Sequence, residues 1–557
     1  MKKPCKSLLF LLNIGFLSLV GCSSNQPSEP KEEGNNQGGN EEQTQIVLQE
    51  DKNENYVFDK VDNSTGSMSY EIFVRSFYDS DKDGIGDFNG ITQNLDYLKD
   101  LGIKTIWLMP IMPSPSYHGY DVSDYFNVNP DYGTLSDFDN LVKSAEDQGI
   151  DIMIDMVLNH CSTENDYFKD SFIDYLDNNT SADSMKDWFN WSNKSQSGYQ
   201  EYRSGKYYEC RFDRSMPDFN LDSPAVRNEI DKMCKFWIKD HKVKGFRLDA
   251  VLYYYQNDVN KNVDFLNFLS ETTKKYDKDF YMVGEAWTND LILERYYNSK
   301  CESFFAFDNA TGGELNSSII QAAKNFNSPK KFTKTIELRE EGQKKLNPNG
   351  YSSYFLSNHD QDRCSSSFTK GEIYNKVAAS IYGLLPGTPF MYYGEEISMV
   401  GDRSSSPDDF SDVKRRLPMI WSSKDKIGQC QFPEQNRKDL DTTVQVKSGV
   451  FDKLSENYSL LNHYKKVINV RNKYPFIKNA NFKSIVSDID YEENVLVAYK
   501  LYDDNNEIYV ITNVGEENIE IKAVGSQIVD SINTAKLIPE LKDGKLKIGA
   551  HSTVILK

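Results

Sequence analysis

The chain has 557 residues and a formal net charge of -20 at pH 7, from 84 Asp and Glu against 64 Lys and Arg. That is too long for one ordinary domain, so two or three are expected. So large an acidic excess without a basic patch excludes nucleic acid and anionic membrane surfaces as partners, since both would repel it, whereas a neutral ligand is compatible and aromatics at 13% can supply stacking platforms as well as a core.

The first residues read as an export signal. Lys2, Lys3 and Lys6 precede an apolar run over 8–20 that is too short for a comfortable membrane span. It ends Leu19-Val20-Gly21-Cys22, which resembles a bacterial lipobox, so 1–22 is expected to be a lipoprotein signal and Cys22 the lipid attachment point. Residues 23–55 are rich in Ser, Asn, Gln, Gly and Glu and poor in large apolar side chains; they cannot bury a core and read as a flexible linker. The expected setting is the cell surface, with a monomer touching the membrane only through this anchor.

From Ser69 onward, short apolar runs alternate with longer amphipathic stretches. The runs predict strands over 69–74, 104–109, 151–157, 245–249, 280–285, 303–308, 353–357 and 389–393, with helices between them, for instance over 91–101, 135–148, 224–241, 259–276 and 371–384. Eight such units in this rhythm predict an α/β fold, a (β/α)8 TIM barrel over 56–158 and 215–474. Residues 159–214 are too long and too polar for a strand-to-helix loop and read as a small inserted domain. Its Trp188, Trp191, Tyr207 and Tyr208 could line sugar subsites, though packing within the insertion explains them equally well. A last helix over 456–473 ends before Tyr474-Pro475. Beyond it, β-rich runs at 495–499 and 508–511, separated by Asp503-Asp504-Asn505-Asn506, predict a small antiparallel β-domain over 475–557. The 8 cysteines show no metal-ligand spacing. No disulfide is expected, Cys161 and Cys210 being the pair that could meet.

After the first strand, Asp79-Ser80-Asp81-Lys82-Asp83-Gly84-Ile85-Gly86-Asp87 sets acids at alternate positions around a glycine, like the start of an EF-hand loop. Asp79, Asp81, Asp83 and Asp87 offer carboxylates and Ile85 its backbone carbonyl. Crowding these like charges is costly without a cation, so calcium is expected; an acidic solvated turn is the plainer alternative.

In a barrel the active site lies where strands end and their loops begin. Strand three ends Asp155-Met156-Val157-Leu158-Asn159-His160, strand four carries Arg247 and Asp249, strand five ends Gly284-Glu285-Ala286-Trp287, and strand seven ends Ser357-Asn358-His359-Asp360. An isolated Arg-x-Asp is more often a structural ion pair, but four polar strand ends on one rim point to chemistry. Arg247 and Asp249, two apart on a strand, share one side, so the cation keeps the carboxylate ionised, as a covalent nucleophile requires. Glu285, crowded by acids and followed by apolar residues, suits a proton donor. Such a pair, about 5 to 5.5 Å apart, performs retaining glycoside hydrolysis. Asp360 is expected to keep Glu285 protonated and to bind sugar hydroxyls, with His160 and His359 donating to the transition state.

These motifs, in this order on eight strands, resemble the signature regions of the α-amylase family, glycoside hydrolase family 13, over about residues 56–557: 155–160, 245–249, Glu285 and 358–360. The resemblance implies a catalytic barrel, an inserted domain after the third strand, a C-terminal antiparallel β-sandwich and retaining cleavage of α-glucosidic bonds. Matched motif by motif, it implies Asp249 as nucleophile, Glu285 as acid/base and Asp360 as third essential acid, supported by Arg247, His160 and His359. Tyr120, in His118-Gly119-Tyr120-Asp121, matches the tyrosine that stacks on the cleaved sugar. It implies calcium in the loop after the first strand, and more weakly a second calcium near Asn159 and Asp218. Where typical endo-acting α-amylases have Lys-His, this chain has Leu252-Tyr253. Met216-Pro217-Asp218-Phe219-Asn220 resembles members of mixed specificity, and the stretch from Arg415 to Trp421 resembles the oligosaccharide-acting branch. The expected substrates are the α-1,4 bonds of starch and maltodextrins. The alternatives are an α-glucosidase or oligo-1,6-glucosidase, a neopullulanase-like enzyme, a glucanotransferase, or a non-catalytic glucan-binding protein, which the intact acids oppose.

Overall fold

The structure is a computed structural model that describes residues 46–50, 68–256, 258–313, 318–368, 371–403, 411–432, 445–491, 494–534 and 537–557. The signal segment 1–22 with Cys22 lies outside the described residues, as does most of the stretch 23–55. No helix among the described residues is long and apolar enough to cross a membrane.

Eight parallel strands form the barrel: β1 (Ser69–Ile72), β2 (Thr105–Leu108), β3 (Asp151–Met156), β4 (Gly245–Leu248), β5 (Tyr281–Gly284), β6 (Ser303–Phe305), β7 (Tyr351–Ser353) and β8 (Phe390–Tyr392). They pair in sequence order from β1 to β7, with β8 beside β1. A parallel bridge between Phe355 and Phe390 closes the ring. Strand seven thus begins two positions before the predicted stretch 353–357 and ends on its first residue: the apolar run Tyr354, Phe355 and Leu356 is buried, but only Tyr351–Ser353 pairs regularly with β6.

The strands are buried on both faces, so alternation sorts their side chains between two cores. In β3, Ile152, Ile154 and Met156 face the outer layer of helices, while Met153 belongs to an inner cluster with Trp107, Val283, Phe305, Phe355 and Phe390. These rings pack edge to face, Phe305 against Phe390 at 4.9 Å and against Phe355 at 5.5 Å, and fill the barrel as a plug rather than leaving a pore. Asp155 and Arg247 follow the inward alternation and are register partners across β3 and β4. The sequence pattern therefore places two charges on top of an aromatic floor.

After β3 the chain leaves the barrel. The insertion holds a helix, Asp166–Leu176, and three short strands, Trp191–Ser192, Tyr199–Glu201 and Tyr207–Glu209. Trp191 stacks on Phe168 at 5.1 Å and its indole N–H donates to Ser171, while Tyr208 is 2% exposed, so these aromatics form the insertion's own core. Bridges from His160 to Asp218 and from Phe189 to Phe219 fasten it to the end of β3.

The last barrel helix, Leu460–Lys473, leads into two antiparallel sheets. The five-stranded one contains β9 (Asn481–Ser484), β10 (Leu496–Tyr502), β11 (Glu507–Asn513), β13 (Ile528–Ile532) and β16 (Thr553–Leu556); the three-stranded one contains β12 (Ile519–Lys522), β14 (Glu540–Lys542) and β15 (Lys545–Ile548). Leu496, Ala498, Ile511 and Val554 on one sheet meet Ile519, Ile521, Leu546 and Ile548 on the other, a β-sandwich core. Alternate residues Val497, Tyr499 and Leu501 turn to the barrel's helices. Gln49–Glu50, at the end of the stretch expected to be a linker, pairs with Leu537–Ile538 of this domain, and Leu48 is 9% exposed. The apolar Ile46 and Leu48 give that segment a face to bury, which the polar residues before it lack. The cysteines of the described residues, Cys161, Cys210, Cys234, Cys301, Cys364 and Cys430, are buried and free.

Candidate active site

A cleft of about 580 Å³ opens over the C-terminal ends of the strands, lined by Tyr120, His160, Asp249, Glu285, Trp287 and Asp360 among others. At its floor Arg247, 1% exposed, binds three carboxylates: Nη1 donates to Asp155 Oδ1 at 2.9 Å and Asp249 Oδ1 at 2.6 Å, and Nη2 lies 3.2 Å from Glu285 Oε2. Its guanidinium sits over the rings of Trp107 and Tyr120 at 5.4 and 5.5 Å, which keeps it from rotating away. Asp249 N–H still bonds the Met156 carbonyl at 3.3 Å, so the acid stands on the last rung of the β3–β4 ladder. The next residue, Ala250, takes a left-handed conformation, φ 52°, and turns its N–H onto Glu285 Oε2 at 2.8 Å. A strained residue directly after Asp249 thus positions the second acid.

The Glu285 carboxyl is pushed up to about 7, first by burial and then by the negative charges of Asp249 and Asp360, against the pull of Arg247. The expected repulsion from Asp360 is present but follows burial and Asp249. Asp360 goes the other way: burial alone would raise it, yet His359, Arg416 and Arg247 hold it well below the usual carboxylate range. The site therefore holds one acid that keeps its proton near neutrality and another that does not.

Tyr120 follows Gly119, whose φ of 83° turns the chain against Pro110, and its ring stacks on His359 with centroids 5.6 Å apart. The Tyr120 hydroxyl donates to Asp155 Oδ2 at 3.0 Å. His160 is buried; Asn159 Nδ2 lies 3.3 Å from its Nδ1, and its Nε2 makes no side-chain hydrogen bond among the described residues. All seven residues predicted around the chemistry are thus brought to one place.

Two partners were not predicted. Glu71 in β1 accepts from His359 Nδ1 at 2.6 Å. Arg416 donates to Asp360 Oδ1 at 2.9 Å and to the His359 carbonyl at 3.1 Å. The signal for Glu71 was a lone acid in the apolar run Ser69-Tyr70-Glu71-Ile72-Phe73-Val74. For Arg416 it was the Arg415-Arg416 pair in an otherwise apolar stretch. Leu252 and Tyr253 do line the cleft, where Tyr253 packs edge-on against Phe212 at 5.2 Å and under Arg211 at 4.7 Å.

In the acidic loop, one carboxylate oxygen each from Asp79, Asp81 and Asp87 lies within 4.8 Å of the others, a set of hard oxygen donors that fits calcium. Gly84, at φ 97°, makes the turn that brings them together. Asp83 is not in this group; its Oδ1 instead accepts the Ile85 N–H at 2.7 Å. Near the other candidate site, Asn159 Nδ2 donates to Asp218 Oδ1 at 3.0 Å, and burial and Glu209 push the Asp218 carboxyl up to about 7.

A family profile described as "Alpha amylase, catalytic domain" matches residues 71–480. "Alpha-amylase 3" of Dictyoglomus thermophilum is 34% identical over 509 residues, covering 88% of this chain and 93% of its own length. "Oligo-1,6-glucosidase" of Parageobacillus thermoglucosidasius is 28% identical over 526 residues, 81% of this chain and 90% of its own. The solved structure "Eubacterium rectale Amy13B" superposes with a TM-score of 0.80 at 34% identity, covering 89% of this chain and 96% of that one. The matched span runs from Glu71 through every strand that carries an acid of the cleft, and on that ground the chain belongs to the α-amylase family of glycoside hydrolases.

Proposed function

We propose that the chain is an α-amylase that cleaves internal α-1,4-glucosidic bonds of starch and maltodextrins with retention of configuration. The observation that carries this reading is the single guanidinium of Arg247 holding Asp249 and Glu285 together. Arg247 engages Asp249 through Oδ1, leaving the other oxygen to attack the anomeric carbon. As that C–O bond forms and the glycosidic bond breaks, protonated Glu285 gives its proton to the leaving oxygen; Glu285 then takes a proton from the water that hydrolyses the glycosyl ester. Asp360 and His359 bind hydroxyls of the same sugar, Tyr120 stacks on its ring, and His160 Nε2 donates to it as charge develops. Proton NMR of the first product tests the stereochemistry: the α-anomer must appear before mutarotation, and a β-anomer sinks the assignment.

A second reading, an oligosaccharide-acting α-glucosidase, is favoured by Leu252-Tyr253 in the cleft wall and by the relative named as an oligo-1,6-glucosidase. Products from amylose, pullulan, cyclodextrin and isomaltose separate the two. Mixed maltooligosaccharides support endo cleavage, and glucose alone supports the second reading.

Calcium would be held by Asp79, Asp81 and Asp87 with the Ile85 carbonyl, and would neutralise and cross-link the loop without touching substrate. The lipobox at Cys22 supports export and attachment to the cell surface.

A further inference from the structure

His359 is gripped by carboxylates at both ring nitrogens. Nδ1 lies 2.6 Å from Glu71 Oε1, while Nε2 lies 2.9 Å from Asp360 Oδ2 and 2.6 Å from the Tyr120 hydroxyl. A neutral imidazole carries one N–H and can satisfy only one flanking carboxylate; satisfying two requires the imidazolium. Asp360 reaches the cleft, but Glu71, 1% exposed, stands behind the ring on β1 and does not line it. Glu71 is fixed in turn by the sheet, in register with Trp107 of β2 and Tyr392 of β8.

We propose that Glu71 is a positioning residue that keeps His359 cationic and aims its Nε2–H at Asp360 and the sugar side of Tyr120. The inference rests on the active-site reading above and extends it one residue behind the cleft. The charged and titratable groups around the ring are Glu71 from β1, Tyr120 from the loop after β2, Asp155 from β3, Arg247 from β4 behind Tyr120, Asp360 from its own loop, and Arg416, which bonds the His359 carbonyl. Burial opposes a charge on the ring, but Asp360 and Glu71 outweigh it and push His359 up to about 9. The consequence reaches the substrate: a cationic His359 holds Asp360 ionised, and loss of that charge weakens both groups that bind the sugar.

The test is Glu71→Gln beside Glu71→Asp. Histidine ¹⁵N NMR, with the His359 signal assigned by its loss in His359→Gln, reads the ring without any substrate. The wild type should keep an imidazolium to about pH 9, Glu71→Gln should titrate at least about one unit lower, and Glu71→Asp should lie between them. In kinetics, Glu71→Gln should lose at least about twofold more kcat/KM near pH 8 than near pH 6, with a steeper alkaline limb because two protons now matter. An unchanged His359 titration in Glu71→Gln overturns the proposal even if activity falls, as does a loss equal at both pH values. If Glu71→Gln does not fold, the titration in Glu71→Asp decides, and a ring unmoved from wild type counts against the idea. An Asp249→Asn protein that keeps its activity would instead overturn the active-site reading while leaving the NMR result standing.

Discussion

Arg416 holds Asp360 twice, through a side-chain bond from Nη2 to Oδ1 at 2.9 Å and through Nε to the carbonyl of the preceding residue, His359, at 3.1 Å. Arg416 is 3% exposed, so this is a buried cation fixing both an acid and the backbone that carries it. It is also one of the charges that depress Asp360. Arg416→Met should therefore raise the Asp360 pKa and move the acid limb of kcat/KM to higher pH, because Asp360 would be protonated sooner as pH falls. A loss of about 100-fold at the optimum is expected from the misplaced carboxylate. Arg416→Lys should restore the acid limb more fully than the rate, since it returns the charge but not the second bond. A pH-rate profile whose acid limb stays put in Arg416→Met would count against this role.

Glu285 sets the other limb. As general acid it must be protonated, and with its carboxyl pushed up to about 7, kcat/KM should fall as pH rises through that value. Glu285→Gln should abolish the limb and cost at least about 10⁴-fold with a natural substrate. The same variant should be more stable than wild type at pH 8, by on the order of 3 kcal/mol, because it removes a carboxyl that burial disfavours once ionised. Thermal unfolding at pH 8 checks this, and a lower melting temperature than wild type would contradict it.

The strand ends were legible because each breaks an apolar run with polar residues of one side: Arg247 and Asp249 differ by two positions, so a single strand reading puts them together. Glu71 breaks its run too, but β1 ends without a following polar cluster, and nothing local shows that its partner is His359, 288 positions away. Arg416 meets Asp360 across 56 positions through a turn rather than a strand, where period-two reasoning has no purchase. The apolar pattern puts strand seven too late because Tyr354, Phe355 and Leu356 are as apolar as a strand, and yet only Phe355 bridges onward to β8. Composition marks the aromatics of the insertion, of which Trp188, Trp191 and Tyr208 pack in its core while Tyr207 is half-buried.

Directly after β8 stand two adjacent buried acids. Glu395 accepts from Tyr382 and Tyr464 at 2.8 and 2.6 Å, and Glu396 from Tyr70 and Tyr97 at 2.7 and 2.6 Å; the second oxygen of each has no hydrogen-bond partner among the described residues. Burial pushes Glu395 from an ordinary 4.5 up to about 7, the tyrosine hydrogen bonds notwithstanding. Between those values the unfolded chain has released this proton and the folded chain has not, so the group's contribution to stability falls as pH rises from about 4.5 to about 7 and is level above. Glu395→Gln removes that dependence. Its stability relative to wild type should improve over this window by on the order of 3 kcal/mol. Denaturant unfolding at pH 5 and pH 8 measures the difference, and a gap that does not change with pH would sink the assignment.

The acidic loop makes the sharpest separation between residues that look alike in sequence. Asp79, Asp81 and Asp87 converge, whereas Asp83 is turned onto the Ile85 N–H. If calcium binds here, chelation should lower the melting temperature and added calcium restore it, with about 2.7 kcal/mol gained at a hundredfold excess over Kd. Asp79→Asn and Asp81→Asn should remove most of this calcium response, and Asp83→Asn should leave it largely intact. Asp87→Asn should lose the response and some calcium-independent stability besides, because Asp87 also caps the helix Phe88–Gln93 through the Gly90 N–H at 2.7 Å, a cap worth about 1 kcal/mol. The opposing possibility is that the loop satisfies itself: Asp79 already accepts from Lys82 and Gly84 N–H at 2.6 and 2.9 Å, and Asp87 from Ser80 N–H at 2.8 Å. Those bonds reduce the need for a cation but do not remove the repulsion among three converging carboxylates. A melting temperature indifferent to calcium at millimolar concentration, with Asp81→Asn more stable than wild type, would show that the hydrogen bonds suffice and that the loop is a turn rather than a metal site.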